Sequence, residues 1–96
     1  MFSVIEDSQV SRAIDDAKEK WTRTDDAWDA VVWILAREPN CGIPVTESGK
    51  TRAFTIDGAR SIDMPTVTVL YELTPLGVVI RDAKFETAIF AQAGRA

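Results

Sequence analysis

The sequence contains no histidine and a single cysteine. Without imidazole there is no histidine general base, no histidine metal ligand and no Ser/His or Cys/His nucleophile pair. One thiol cannot close an internal disulfide, and with no histidine beside it structural zinc is excluded. Cys41 then reads as a small buried apolar residue of a chain kept in a reducing cytoplasm. No run of about 18 apolar residues occurs, and "MFSVIEDSQV" has no basic flank leading into an apolar signal core, so no membrane segment or export signal is expected. Gly-rich phosphate loops, paired-acid motifs and metal-ligand spacings are missing too, and no cofactor or metal is called for.

What remains describes one packed domain over residues 1–96. Apolar residues make up 46% and charged residues 27%, the proportions of a globular chain, and two domains would leave each half with a marginal core. The net charge is −4, which opposes approach to a phosphate backbone unless positive groups cluster. Residues 1–40 hold five basic and nine acidic side chains, residues 41–96 six of each, so any nucleic-acid contact belongs to the second half.

"FSVIE" alternates apolar residues and reads as a short first strand or an extended end segment. Val10, Ala13, Ile14, Ala17 and Trp21 then recur at helical spacing, predicting an amphipathic helix over about 8–22 with Asp7 or Ser8 as N-cap. A second helix starts at Thr24 as cap, with Asp25 and Asp26 favouring the positive end of its dipole, and stops at Arg37, Pro39, Asn40 and Gly42. The short loop between them makes an antiparallel helix pair. On the second helix Trp28, Val31, Val32 and Leu35 share one face, while Trp33 projects about 140° from Trp28 and Ile34 about 120° to the other side. A helix apolar nearly all round is either sandwiched between two layers or presents Trp33 and Ile34 to a protein partner.

A strand is expected over about 51–57, with Arg52, Phe54 and Ile56 on one face. Asp57-Gly58 marks a turn, and an irregular excursion leads to Pro65. "PTVTVLYELTPLGVVIRDAKF" reads as a hairpin. Pro75 fixes a negative φ, so the corner "TPLG" is read as a type I turn with Gly77 in a left-handed bulge position. That loop sets Thr74 opposite Val78, Leu73 opposite Val79, Tyr71 opposite Arg81, Val69 opposite Ala83 and Val67 opposite Phe85, all on the face that meets the helices. Arg81 thus interrupts a core row beside Tyr71, its head at the rim; a slip of one residue would set it beside Glu72 instead. The tail, with Ala88, Ile89 and Phe90, is consistent with a short helix or an ordered tail up to Gly94.

The order short strand, helix hairpin, three antiparallel strands, closing in "VTVLYELTPLGVVIRDAKFE", resembles the RelE/ParE superfamily of type II toxin–antitoxin toxins over residues 2–86. The resemblance implies an α+β fold with the N-terminal helix hairpin packed on a small antiparallel sheet. It also implies a cognate antitoxin as partner and either cleavage of ribosome-bound mRNA by basic residues or inhibition of gyrase. The residues available for RNA or target contact are Lys50, Arg52, Arg60, Arg81 and Lys84. The chain departs from the ribonuclease pattern at Thr68, where an arginine is expected, at Phe85, where a basic pair should end the last strand, and in having no tyrosine after residue 85. No general base stands out among Glu72 and Asp82. The alternative is a non-catalytic protein-binding module or small inhibitor from a mobile element, acting through Trp33.

Overall fold

The computed structural model describes residues 2–89. Strand β1 (Val4–Glu6) leads into helices α1 (Ser8–Lys20) and α2 (Thr24–Arg37); β2 (Ile43–Pro44), β3 (Thr51–Ile56), β4 (Thr66–Thr74) and β5 (Gly77–Glu86) follow, with one 3-10 turn at Arg60–Ile62. The strands form one sheet in the order β1-β5-β4-β3-β2. β3, β4 and β5 are antiparallel neighbours, as expected; β2, which was not expected, adds antiparallel to β3, and β1 joins β5 in parallel, which makes the sheet mixed. The helix pair carries the chain from β1 at one edge of the sheet to β2 at the other, and β5, reached through β3 and β4, returns beside β1.

Both helices cover one face of the sheet. Val10, Ile14 and Ala17 of α1 and Ala27, Trp28, Val31 and Leu35 of α2 are buried against Val67, Val69, Tyr71, Val78 and Ile80. Trp28 stacks obliquely on Phe85 at 6.0 Å between ring centroids and donates its indole N–H to Glu6 Oε2 at 2.7 Å. The other face of the sheet carries no layer among the described residues.

The expected helix caps are only partly realised. Thr24 does not cap α2: its buried hydroxyl donates to the carbonyls of Ala17 and Trp21 and so ties the start of α2 to the end of α1. Asp7 occupies the N-cap position of α1 without a side-chain cap bond, because its carboxylate faces Arg81. The helix–helix turn is instead fixed from a distance by Asp63, which accepts the backbone N–H and the hydroxyl of Thr22, each at 2.7 Å. The tail helix expected up to Gly94 falls largely outside the described residues, and residues 87–89 within them are not helical.

The hairpin needs a larger correction. Its loop has two residues, Pro75 and Leu76, so Thr74 pairs with Gly77, Leu73 with Val78, Glu72 with Val79 and Tyr71 with Ile80. The register then shifts between Leu70 and Tyr71, and Leu70 meets Asp82, Val69 Ala83 and Val67 Phe85. Arg81 is the extra residue of this bulge. The expected pairs at Val69 and Val67 are therefore correct and those nearer the turn are off by one. Ile80, not Arg81, fills the core row, and two consecutive residues, Arg81 and Asp82, are turned to the outside. Gly77 is required here: its φ is +134, and a Cβ would stand 2.5 Å from Ser3 O, whose carbonyl accepts the Val78 N–H.

Candidate functional site

The five basic side chains proposed for RNA or target contact do not converge. Arg52 on β3 lies opposite Tyr71 on the side away from β5. Its Nε donates to Gly49 O at 2.9 Å and its Nη1 to Asn40 O at 3.0 Å and Gly42 O at 2.9 Å. A planar guanidinium reaches three carbonyls that no other side chain bonds, and this locks the connection from α2 to β2. Tyr71 completes the lock from below: fully buried, it accepts the Gly42 N–H at 2.9 Å and donates to Pro39 O at 2.7 Å.

Arg81 is engaged as fully. Its Nη2 and Nε reach Glu72 Oε1 at 2.6 and 3.0 Å, and its Nη1 lies 3.3 Å from Asp7 Oδ2. Glu72 first and Asp7 second hold the guanidinium above its ordinary pKa. Gln9 donates its side-chain amide to Arg81 O, so the bulge, the start of α1 and β4 meet at one residue. The expectation that Arg81 sits beside Tyr71 in the core row is overturned, because burying Ile80 there removes an apolar side chain from water and leaves the cation at the surface.

Lys50, Arg60 and Lys84 are exposed. Lys50 precedes β3 at the end of the sheet shared with Glu72, and its carbonyl accepts the Leu73 N–H. Arg60 belongs to the turn that joins β3 to β4 at the opposite end. Lys84 stands opposite Thr68 on the uncovered face, with its Nζ 3.7 Å from Glu86 Oε2. The sheet thus divides the cations between its two ends. Among the described residues no three Asp, Glu, Cys or His side chains are grouped to hold a metal ion.

Glu72, one of the two carboxylates weighed as a proton acceptor, accepts two bonds from Arg81, and Asp82 Oδ1 accepts the Ala83 N–H at 2.9 Å. Neither stands beside a convergent pair of unengaged cations, which is the arrangement that transfer of a 2′-hydroxyl proton needs.

The aromatic candidate is different. α2 is not sandwiched: Trp33 is 58% exposed and Ile34 half-buried. The Arg37 guanidinium lies over the Trp33 ring at 4.0 Å and its Nη1 donates to Trp33 O at 3.1 Å. This flat, amphipathic platform is held by one helical turn. Sequence reading treated Arg37 only as a stop signal; its place four residues after Trp33 is the signal that would have found the stack. Cys41, expected to be buried, is exposed near Phe2, Pro39 and Asn40. β2 was missed because Pro44 reads as a breaker, and with it the exposure of Ile43, which joins Ile5 and Leu70 as apolar side chains exposed along the sheet.

No protein-family model, no curated protein and no solved structure matches the chain.

Proposed function

We propose that this chain is a toxin-like component of a type II toxin–antitoxin system of the RelE/ParE kind, and that it acts by binding a protein target such as gyrase rather than by cutting ribosome-bound mRNA. The chain order, a short strand, a helix pair and an antiparallel run of strands, supports the first half. The second half rests on one observation: the two arginines best placed to meet phosphate are engaged within the fold, Arg52 by three carbonyls and Arg81 by two carboxylates. Trp33 with Arg37 supplies the contact surface, since an exposed indole under a guanidinium combines large apolar area with a charge that recognises an acidic or carbonyl-rich partner. A cognate antitoxin covering this surface in the cytoplasm is the implied partner. No helix among the described residues is long and apolar enough to cross a membrane.

Inducible expression tests the proposal. The expected result is growth arrest without new transcript ends, lost in Trp33→Ala and retained when Lys50, Arg60 and Lys84 are changed together to alanine. Breaks at ribosome-engaged codons, sensitive to those lysines and arginine, overturn the binding mechanism. Co-purification of a partner through Trp33 with no arrest moves the chain to the inhibitor reading, and neither arrest nor partner rejects both.

A further inference from the structure

The outer edge of β5 is covered only as far as its bulge. β1 pairs with residues 78–80, the Asp7 N–H bonds Ile80 O, and Gln9 bonds Arg81 O. Beyond that point no strand among the described residues lies against it. The Leu73 N–H reaches Lys50 O, so odd-numbered residues of β4 turn their main-chain groups toward β3 and even-numbered ones toward β5. Leu70 faces Asp82 and Thr68 faces Lys84, hence Asp82, Lys84 and Glu86 bond inward while Ala83 and Phe85 present theirs to the outside. The Ala83 N–H is taken by Asp82 Oδ1, and the N–H and carbonyl of Phe85 are left for another strand. Beside them runs a cleft of about 230 Å³ between α1 and the strand, lined by Ala13, Asp16, Ala17 and Lys20 above and Ala83 and Phe85 below.

We propose that this edge is the seam of a homodimer, in which two copies pair β5 antiparallel about a two-fold axis at Phe85. Charge selects both the occupant and the register. The cleft carries one acid and one base on α1, Asp16 and Lys20, and the strand beside it carries Lys84 and Glu86 on its uncovered face, 3.7 Å apart within one copy and free to exchange partners across a seam; a partner of a single sign would meet repulsion from half of each pair. A second copy related by a two-fold satisfies all of them, because each patch meets its own reversed image. With the axis at Phe85, Lys84 faces Glu86 of the second copy twice, and Phe85 exchanges two main-chain bonds with Phe85 of the second copy. An axis at Lys84 would set lysine against lysine and Asp82 against Glu86. An axis at Ala83 would demand the N–H that Asp82 already holds.

On the helix side, Lys20 has no carboxylate partner among the described residues and lies 6.0 Å from the centre of the Trp21 ring, open to Asp16 of the second copy. Ala13, half-buried at the cleft, keeps that flank of α1 low enough for a neighbouring chain to enter. A seam this short lies at the small end of specific interfaces, so the dimer is a weak one.

Sedimentation velocity across a concentration series, with hydrogen exchange read at the Phe85 amide, tests the seam. The expected result is a monomer–dimer equilibrium in which the Phe85 amide gains protection as dimer forms. Lys84→Glu weakens it about tenfold, since the two-fold counts each like-charge contact twice, and Glu86→Lys added to Lys84→Glu restores it. Circular dichroism confirms that the variants keep their fold. A chain that stays monomeric up to about 200 μM, where a weak specific dimer would be populated, overturns the proposal. So does a dimer indifferent to Lys84→Glu or not recovered by the double change. Protection of the Phe85 amide in a species that sediments as a monomer would place a segment of the same chain on the edge, and also refutes the dimer.

Discussion

Tyr71→Phe isolates the energetics of the lock that joins the helices to the sheet. Tyr71 is the only tyrosine of the chain and is fully buried, and its hydroxyl both accepts from the Gly42 N–H and donates to Pro39 O. Phenylalanine keeps the ring and its packing against the core but leaves a buried donor and a buried acceptor without partners. Orphaning such a group costs about 1–3 kcal/mol, and relief from desolvating the hydroxyl offsets part of the sum, so a net loss of about 2–3 kcal/mol is expected. For a domain of this size that lowers the melting temperature by roughly 10–20 °C and the urea midpoint by about 2 M.

The pH dependence carries a second, independent signature of the same residue. Burial, the largest influence, raises the Tyr71 hydroxyl above its ordinary 10.0, against the opposing pull of the Gly42 N–H. A folded-state value above the unfolded one means that the unfolded chain loses its proton first. The stabilisation is therefore complete below about pH 10 and is lost as pH rises through the folded value. The stability gap between wild type and Tyr71→Phe should be constant through neutral pH and narrow only above that point. Urea unfolding of both proteins along an alkaline series, with tyrosinate absorbance as the titration readout, measures it. An unchanged urea midpoint in the variant, or a gap that does not narrow at alkaline pH, refutes the reasoning.

Arg52→Ala removes three charge-assisted bonds from a partly exposed clamp and is expected to cost about 2–3 kcal/mol in urea unfolding, with Arg52→Lys recovering only part because an ammonium cannot span three carbonyls. Gly77→Ala places a Cβ 2.5 Å from Ser3 O at a positive φ and should cost more than about 2 kcal/mol. Because β1 is pushed from β5, Trp28 emission should shift as Glu6 leaves its indole N–H. Asp63 is held below its ordinary 3.8 by the Thr22 N–H first and the Thr22 hydroxyl second. Its contribution is present above the unfolded value and lost as pH falls through the lower folded one, so acid unfolding below about pH 4 should lose a component in Asp63→Ala that wild type retains.

Helices were legible because their burial is periodic: Val10, Ile14 and Ala17, then Trp28, Val31 and Leu35, face the sheet as their spacing requires. The angular position of Trp33 left two readings open, a sandwiched helix or an exposed face, and the structure shows Trp33 exposed. The partner of β4 was legible from the turn at Pro75, but the register was not, since a proline fixes one φ and not the number of residues in the loop. One signal was present and unread: a core row containing Arg81 while excluding Ile80 is the less favourable of two registers, and a bulge at Arg81 resolves both defects. β1 is three residues long, too short for alternation to reveal its parallel partner. The clamp by Arg52 had no sequence signature, because its acceptors are backbone carbonyls that every residue carries.

The same clamps bear on function. A guanidinium that stabilises a phosphorane must be free to leave its resting partners when substrate arrives, and the two arginines here have partners that the fold itself depends on. Releasing Arg52 unties Asn40, Gly42 and Gly49 from β3; releasing Arg81 leaves Glu72 and Asp7 as adjoining uncompensated carboxylates where α1 begins. Phosphate binding would therefore compete with the fold, and the freed acids would repel the ligand. Lys50, Arg60 and Lys84 escape this competition but lie at opposite ends of the sheet. Trp33 and Arg37 contribute no bond to either clamp, although Arg37 lines the same pocket as Asn40, so a partner can bind Trp33 without displacing a clamp bond. Under the proposed reading, separation of the Trp33–Arg37 surface from the stabilising charges lets a partner bind there while both clamps stay closed.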